Sequence, residues 1–223
     1  LAGGTSVTDN FMVYVKDGST GTASTAVNFS ISGSNDNPTI VAGAQSAQLV
    51  ESGVSGSGTA TATIALTKGD VDTGDAAVYD GATLVANGWS TADGGASYTK
   101  TGIYGTATLT TGTGVVSYQL NNGDQDTNRL AGGASVSDDF VVYVKDGSTG
   151  TASTAVNFAI SGSNDNPTIT AGAQSVQLVE AGVAGSGQAT ASIALTKGDE
   201  DTGDAAVYDG TTLVANGWST SDG

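Results

Sequence analysis

This sequence contains no cysteine and no histidine, and among 223 residues it has two prolines, one methionine and six basic side chains. Without cysteine there is no disulfide framework. Without either residue type there is no Cys/His zinc site and no nucleophile paired with a histidine base. Six Lys+Arg against 22 Asp+Glu give a formal charge of −16, which repels nucleic-acid phosphates and anionic membrane surfaces. No apolar run approaches the ~20 residues of a membrane-spanning helix. The chain opens on Leu1 with no charged leader or signal-peptide core, so it reads as an excerpt. No nucleic-acid partner and no membrane insertion are expected, and cations are the natural partners. Hydrophobic residues make up 38%, much of it alanine, so the core is expected to be thin and repeated rather than deep.

What the sequence does have is a repeat. Residues 1–94 recur as 130–223 at an offset of 129, with 14 substitutions and 80 of 94 positions identical, and only 95–129 occur once. The changes are mild, such as Met12 to Val141, Ala47 to Val176 and Thr8 to Ser137, as expected of two copies under one structural specification.

Within a period the apolar residues step by two, the signature of half-buried strands. Ala60, Ala62, Ile64 and Leu66 alternate with threonines, Val116, Tyr118 and Leu120 with Val115, Ser117 and Gln119, and Val156, Phe158 and Ile160 follow the same rule. Phe140–Val144 is apolar on both faces and suits a central strand. No stretch has a 3.6-residue period, so no helix is expected. Gly-rich and Asp/Asn-rich turns break the strands every ~8–12 residues, the spacing of an antiparallel β-sandwich. Residues 53–58 read as a loop and Asn121-Asn122-Gly123-Asp124 as a hairpin turn.

The two prolines, Pro38 and Pro167, end identical Gly-Ser-Asn-Asp-Asn-Pro segments between strands, where a fixed φ stiffens a short connector. Junctions placed there divide the chain into a C-terminal piece of one repeat (1–37), a complete repeat (38–166) and an N-terminal piece of the next (167–223).

The junction Ser-Asn-Asp-Asn-Pro-Thr-Ile resembles the linker between cadherin extracellular domains. The likeness continues through Glu51 in Leu-Val-Glu, the Asp70-Val-Asp72-Thr-Gly-Asp75 run, and Val144-Lys145-Asp146-Gly147 before the last strand. Gly102–Leu109, Val116–Asn122, Leu130-Ala-Gly-Gly, Asp139–Gly147 and the closing Ile-Ser-Gly-Ser-Asn-Asp-Asn-Pro are similar to the VCBS-type repeat of giant bacterial adhesins, including those of the RTX class. The resemblance spans essentially the whole chain. It implies tandem Ig/cadherin-like β-sandwich repeats of 129 residues with calcium at their junctions. Two features depart from the pattern. The Leu130-Ala-Gly-Gly segment lacks the acidic pair that cadherins carry before the penultimate strand, leaving Asp124, Asp126 or Asp138 as substitutes, and the glycine-rich nonapeptide of RTX β-rolls is absent.

Calcium takes six to eight oxygens from carboxylates, amides and carbonyls at ~2.3–2.6 Å. On the cadherin-like pattern, Asn35, Asp36 and Asn37 are expected to meet Asp70, Asp72 and Asp146 at the first junction. Asn164, Asp165 and Asn166 are expected to meet Asp199, Asp201 and Glu51 at the second. The competing reading is that Asp and Asn only shape turns. An EF-hand is excluded, because in a frame starting at Asp70 the fifth, sixth and twelfth positions hold Gly74, Asp75 and Gly81.

Trp89 and Tyr79, repeated at Trp218 and Tyr208, read as core anchors, with a sugar-stacking surface as the weaker alternative. No carboxylate pair stands out as a general acid and base, so an enzyme is not expected. The expectation is a calcium-stiffened extender of a secreted bacterial surface adhesin, extracellular, serving cell adhesion or biofilm formation. Its partners are neighbouring repeats of its own chain, or other chains end to end. A glycan-binding module and a self-assembling filament or matrix subunit are the alternatives. The end pieces are read as a window on a longer array in preference to end-to-end docking, since docking would leave the strands of 95–129 unreplaced.

Overall fold

The computed structural model describes all residues except 54, 55, 57, 184, 186 and 220–223. The described residues form β-strands in several sheets with three short helices, an all-β fold. The chain divides into two compact units. One comprises Leu1–Ala47, Thr61–Gln119 and Asp138–Phe158, and the other Gln48–Ala60, Leu120–Ser137 and Ala159–Gly223. No described helix is long and apolar enough to cross a membrane.

The first unit opens with a hairpin of β1 (Ser6–Lys16) and β2 (Thr22–Ser32), paired antiparallel from Ser6 opposite Ser32 to Lys16 opposite Thr22. A five-stranded sheet follows, in the order β3 (Thr39–Ala42), β5 (Thr61–Gly69), β9 (Val115–Leu120), β8 (Gly105–Thr110) and β7 (Ser97–Thr101). The expected alternation holds in β5, where Ala62, Ile64 and Leu66 are buried and Thr61, Thr63 and Ala65 face solvent. In a further sheet β10 (Ser135–Lys145) lies between β11 (Thr151–Ser161) and the two-residue β6 (Val78–Tyr79). β10 is therefore internal, as its sequence suggests. It is not buried on both faces, because Val141 is 38% exposed between the buried Phe140 and Val142.

The two sheets meet through aromatic rings. Phe158 of β11 stacks on Tyr118 of β9 with centroids 4.8 Å apart, and Phe140 of β10 lies 6.2 Å from Tyr118 and 5.9 Å from Trp89. Each such fully buried side chain contributes ~1.5–3 kcal/mol.

Helix α1 (Gly81–Ala86) lies just before Trp89 and buries only Leu84. Asp80 caps it, accepting from the Thr83 N–H at 3.3 Å and the Thr83 hydroxyl at 2.5 Å. Six residues with one buried side chain carry no readable helical period, which is why the sequence gives no warning of this helix.

In the second unit β4 (Leu49–Val50) pairs in parallel with Ile160–Ser161 of β11, a departure from the antiparallel expectation. Asn121–Asp124 is not a hairpin turn. It turns into helix α2 (Gln125–Asn128), with Asp124 as the N-cap, because the Asp124 carboxylate accepts from the Asp126 N–H at 3.0 Å. β12 (Thr168–Gln174) and β13 (Ile193–Gly198) form an antiparallel pair whose register, Thr168 opposite Gly198, repeats that of Thr39 and Gly69 in β3 and β5. α3 (Gly210–Ala215) is capped by Asp209 as α1 is by Asp80. Within the described part of 167–223 there are two strands and a helix.

Candidate metal centres

Past Gly33, whose N–H donates to the Thr5 carbonyl at 2.9 Å, the connector to Pro38 is in no strand, and two of its residues find side-chain partners. The Asp36 N–H finds Asp72 Oδ2 at 2.9 Å, and the Asn35 amide donates to Asp146 Oδ2 at 2.9 Å. Asp72 is held in turn by its own N–H on Asp70 Oδ1 at 2.8 Å. Asp146 Oδ1 accepts from the Ser148 and Gly150 N–H groups at 2.8 and 2.9 Å. The Asn35 hydrogen bond, reinforced by the Ser148 and Gly150 amides, pulls the Asp146 pKa below the usual carboxylate range. Gly150 is required there, since a Cβ would lie 2.1 Å from Asp146 Oδ2 and 2.9 Å from Asn37 Oδ1.

These bonds leave a set of buried oxygens behind. Asn35 Oδ1, Asp70 Oδ2 and Asp72 Oδ1 have no hydrogen-bond partner. The structure thus brings together Asn35, Asp36, Asp70, Asp72 and Asp146, with Asn37 beside Asp146; Asp36 takes part through its backbone, and its side chain is exposed.

The second cluster is built the same way from the next copy. The Asp165 N–H donates to Asp201 Oδ2 at 2.9 Å, and the Asp201 N–H to Asp199 Oδ1 at 3.0 Å. Glu51, 0% exposed, enters from the end of β4, its Oε2 accepting from the Ser163 N–H at 3.2 Å. Gly53 allows this approach, because a Cβ would stand 2.4 Å from the Asn164 carbonyl. Glu51 Oε1, Asp165 Oδ2 and Asp201 Oδ1 are buried without hydrogen bonds. Desolvation, then the charge of Asp165, pushes the Glu51 pKa up; desolvation, then Asp201, Glu200 and Asp199, does the same to Asp165. Carboxylates of Asp199, Asp201 and Asp204 come within 4.8 Å of one another. Asn166 stands exposed.

Asp204 was missed in the sequence, although the Asp-x-Asp-Thr-Gly-Asp spacing repeated at 199–204 carries the signal. Asp75, its counterpart, accepts from the Gly147 N–H at 2.7 Å and so ties the Asp70–Asp75 turn to the Asp146 loop. None of the candidates for the missing acidic pair joins these contacts. Asp124 caps α2, Asp126 is exposed in its first turn, and Asp138 is saturated by the Ile103 N–H, the Tyr104 N–H and the Tyr118 hydroxyl at 2.8, 3.0 and 2.6 Å.

The aromatic candidates are placed otherwise. Trp89 is 2% exposed, its indole N–H on the Val141 carbonyl at 3.1 Å, so its ring face is closed to a sugar. Tyr79 is half-buried under the Lys68 ammonium, 5.4 Å from its ring centroid, with burial raising its pKa. The sugar-stacking alternative rested on exposed Trp89 and Tyr79 rings; Trp89 is buried and Tyr79 half-buried.

No protein-family model matches the chain, and no curated protein matches it.

Proposed function

We propose that the chain is a run of tandem Ig/cadherin-like repeats, with junctions at Pro38 and Pro167, that binds calcium at both acidic clusters and serves as an extracellular extender of a large bacterial surface adhesin. The observation that carries this reading is the set of buried, unpartnered carboxylate and amide oxygens, gathered at two points 129 residues apart. Leaving a buried polar atom unmatched costs ~1–3 kcal/mol, more for a charge. A hard divalent cation satisfies such oxygens and offsets both the desolvation and, after it, the carboxylate repulsion that raise the Glu51 and Asp165 pKa values. Asn35, Asp70, Asp72 and Asp146 would hold one ion, and Glu51, Asp165, Asp199, Asp201 and Asp204 another. The ion supplies positive charge and coordination; the chain's part is to carry the Gly33–Pro38 and Gly162–Pro167 segments in fixed geometry, which converts repulsion into stiffness. The composition and the resemblance to VCBS-type repeats support the extender role, and no acid–base pair supports catalysis. Small-angle scattering in millimolar calcium and in chelator tests it: flexibility is expected to rise on chelation, and identical profiles would contradict the stiffening.

A further inference from the structure

Strand β4 is two residues long, yet its segment is fastened to β11 at each residue from Gln48 to Glu51. Leu49 pairs with Ile160 and Val50 with Ser161, in parallel, and the Glu51 N–H donates to the Ser161 carbonyl at 2.9 Å. Side chains extend the seam at both ends. Before β4, the Gln48 amide donates to the Ala159 carbonyl and to the Ser161 hydroxyl, each at 3.3 Å. After it, the Ser163 N–H donates to Glu51 Oε2 at 3.2 Å. Leu49, Ile160 and Glu51 are buried, and Val50 is held on its other side by Thr59 through N–H to carbonyl bonds of 3.1 and 2.9 Å in the two directions.

The direction of the two strands decides how this seam meets tension. When a chain is pulled lengthwise, an earlier strand is drawn toward its N-terminal end and a later one toward its C-terminal end. In a parallel pair those two pulls run in opposite senses along the strand axes, so the bonds across the seam have to break together. An antiparallel pair joined by a hairpin, pulled the same way, opens from one end and loses one bond at a time. β4 precedes β11 and runs parallel to it, so their seam is loaded in shear.

We propose that β4 and β11 form a shear clamp that carries tension along the chain, and that a divalent cation at the second acidic cluster locks this clamp through Glu51. The proposal rests on the reading of the chain as a calcium-binding extender, whose work is to transmit pull. Glu51 holds the Ser163 N–H with one oxygen and keeps Oε1 buried without a partner, as Asp165 keeps Oδ2 and Asp201 keeps Oδ1. An ion shared by these oxygens ties the end of β4 to the connector that leaves β11. Sliding the strands past each other then has to strip the ion as well as break the seam.

Constant-force tweezers on the 223-residue chain test this, with thiol handles at exposed positions, since the chain has no cysteine of its own. Ala47→Cys with Thr168→Cys pulls β4 and β11 in shear, whereas Ala47→Cys with Ala155→Cys pulls both strands from their N-terminal ends and peels them apart. At equal load in chelator the folded chain is expected to last at least about tenfold longer in shear than in peeling. Gln48→Ala removes exposed contacts across the seam and is expected to shorten the shear lifetime about fivefold. Calcium is expected to lengthen the shear lifetime of the unchanged seam at least about tenfold, while the calcium and chelator lifetimes of Glu51→Gln are expected to coincide. Equal lifetimes in the two geometries, or a shear lifetime indifferent to Gln48→Ala, would overturn the clamp. Calcium that binds in calorimetry yet leaves the shear lifetime unchanged would overturn its locking by the ion and spare the calcium reading. No binding in calorimetry would overturn that reading and the locking with it.

Discussion

Asp201 turns one carboxylate oxygen to the Asp165 N–H at 2.9 Å and leaves the other buried without a hydrogen bond. Asp72 and Asp36 stand in the same relation one repeat earlier, also at 2.9 Å. One oxygen fixes the connector, and in the proposed function the other is the one a cation would take.

This division makes the two clusters separable. Asp72→Ala removes the acceptor of the Asp36 N–H, so exchange of that amide is expected to speed up about tenfold, the effect of ~1.4 kcal/mol. The Asp165 amide, bonded to Asp201, is expected to keep its rate. Asp201→Ala is expected to reverse the pattern. Hydrogen exchange followed by NMR reads both amides, and equal acceleration at both would contradict the assignment of each Asp-x-Asp turn to its own connector.

Tyr118 and Asp138 form a buried pair, the hydroxyl donating at 2.6 Å, and burial together with that bond holds the Tyr118 pKa well above its usual value. Tyr118→Phe is expected to cost about 1–3 kcal/mol in denaturant unfolding, because Asp138 keeps its two backbone donors but loses the hydroxyl. With Asp138→Ala, the double variant is expected to lose less than the sum of the singles.

The Thr83 hydroxyl, then the Thr83 N–H and the Lys145 charge, lower the Asp80 pKa. A lowered carboxylate pKa stabilises the fold above the unfolded value of ~3.9, and that contribution disappears as the pH falls through the lower folded value. Asp80→Ala is expected to lose about 1 kcal/mol as a missing N-cap. Asp80→Asn keeps a capping oxygen and loses the charge. Its deficit against the unchanged chain is expected to be constant from neutral pH down to ~5 and to fade below ~3.9. Thermal unfolding over that range checks the sign.

Strand β5 was legible because Ala62, Ile64 and Leu66 bury one face and threonine occupies much of the other. The parallel β4 and the helix α1 were not, since two paired residues and one buried leucine leave no period to read. Burial itself was only half legible: β1 and β10 share nearly one sequence, and what differs is the rest of the chain packed against them. At the candidate site the cadherin-like resemblance pointed to Asp70, Asp72 and Glu51, and the structure sets Asp72 against the Asp36 N–H and Glu51 against the Ser163 N–H. The role of Asp138 was not legible, because its donors come from residues 103, 104 and 118.

Calcium titration by calorimetry tests the central claim most directly, comparing the unchanged chain with the Asp72→Ala/Asp201→Ala double variant. Saturable binding is expected in the ~10⁻⁴–10⁻³ M range of extracellular calcium modules, with a matching rise in melting temperature, and both are expected to be lost in the double variant. Absence of binding at millimolar calcium, or equal binding by the double variant, would contradict the account.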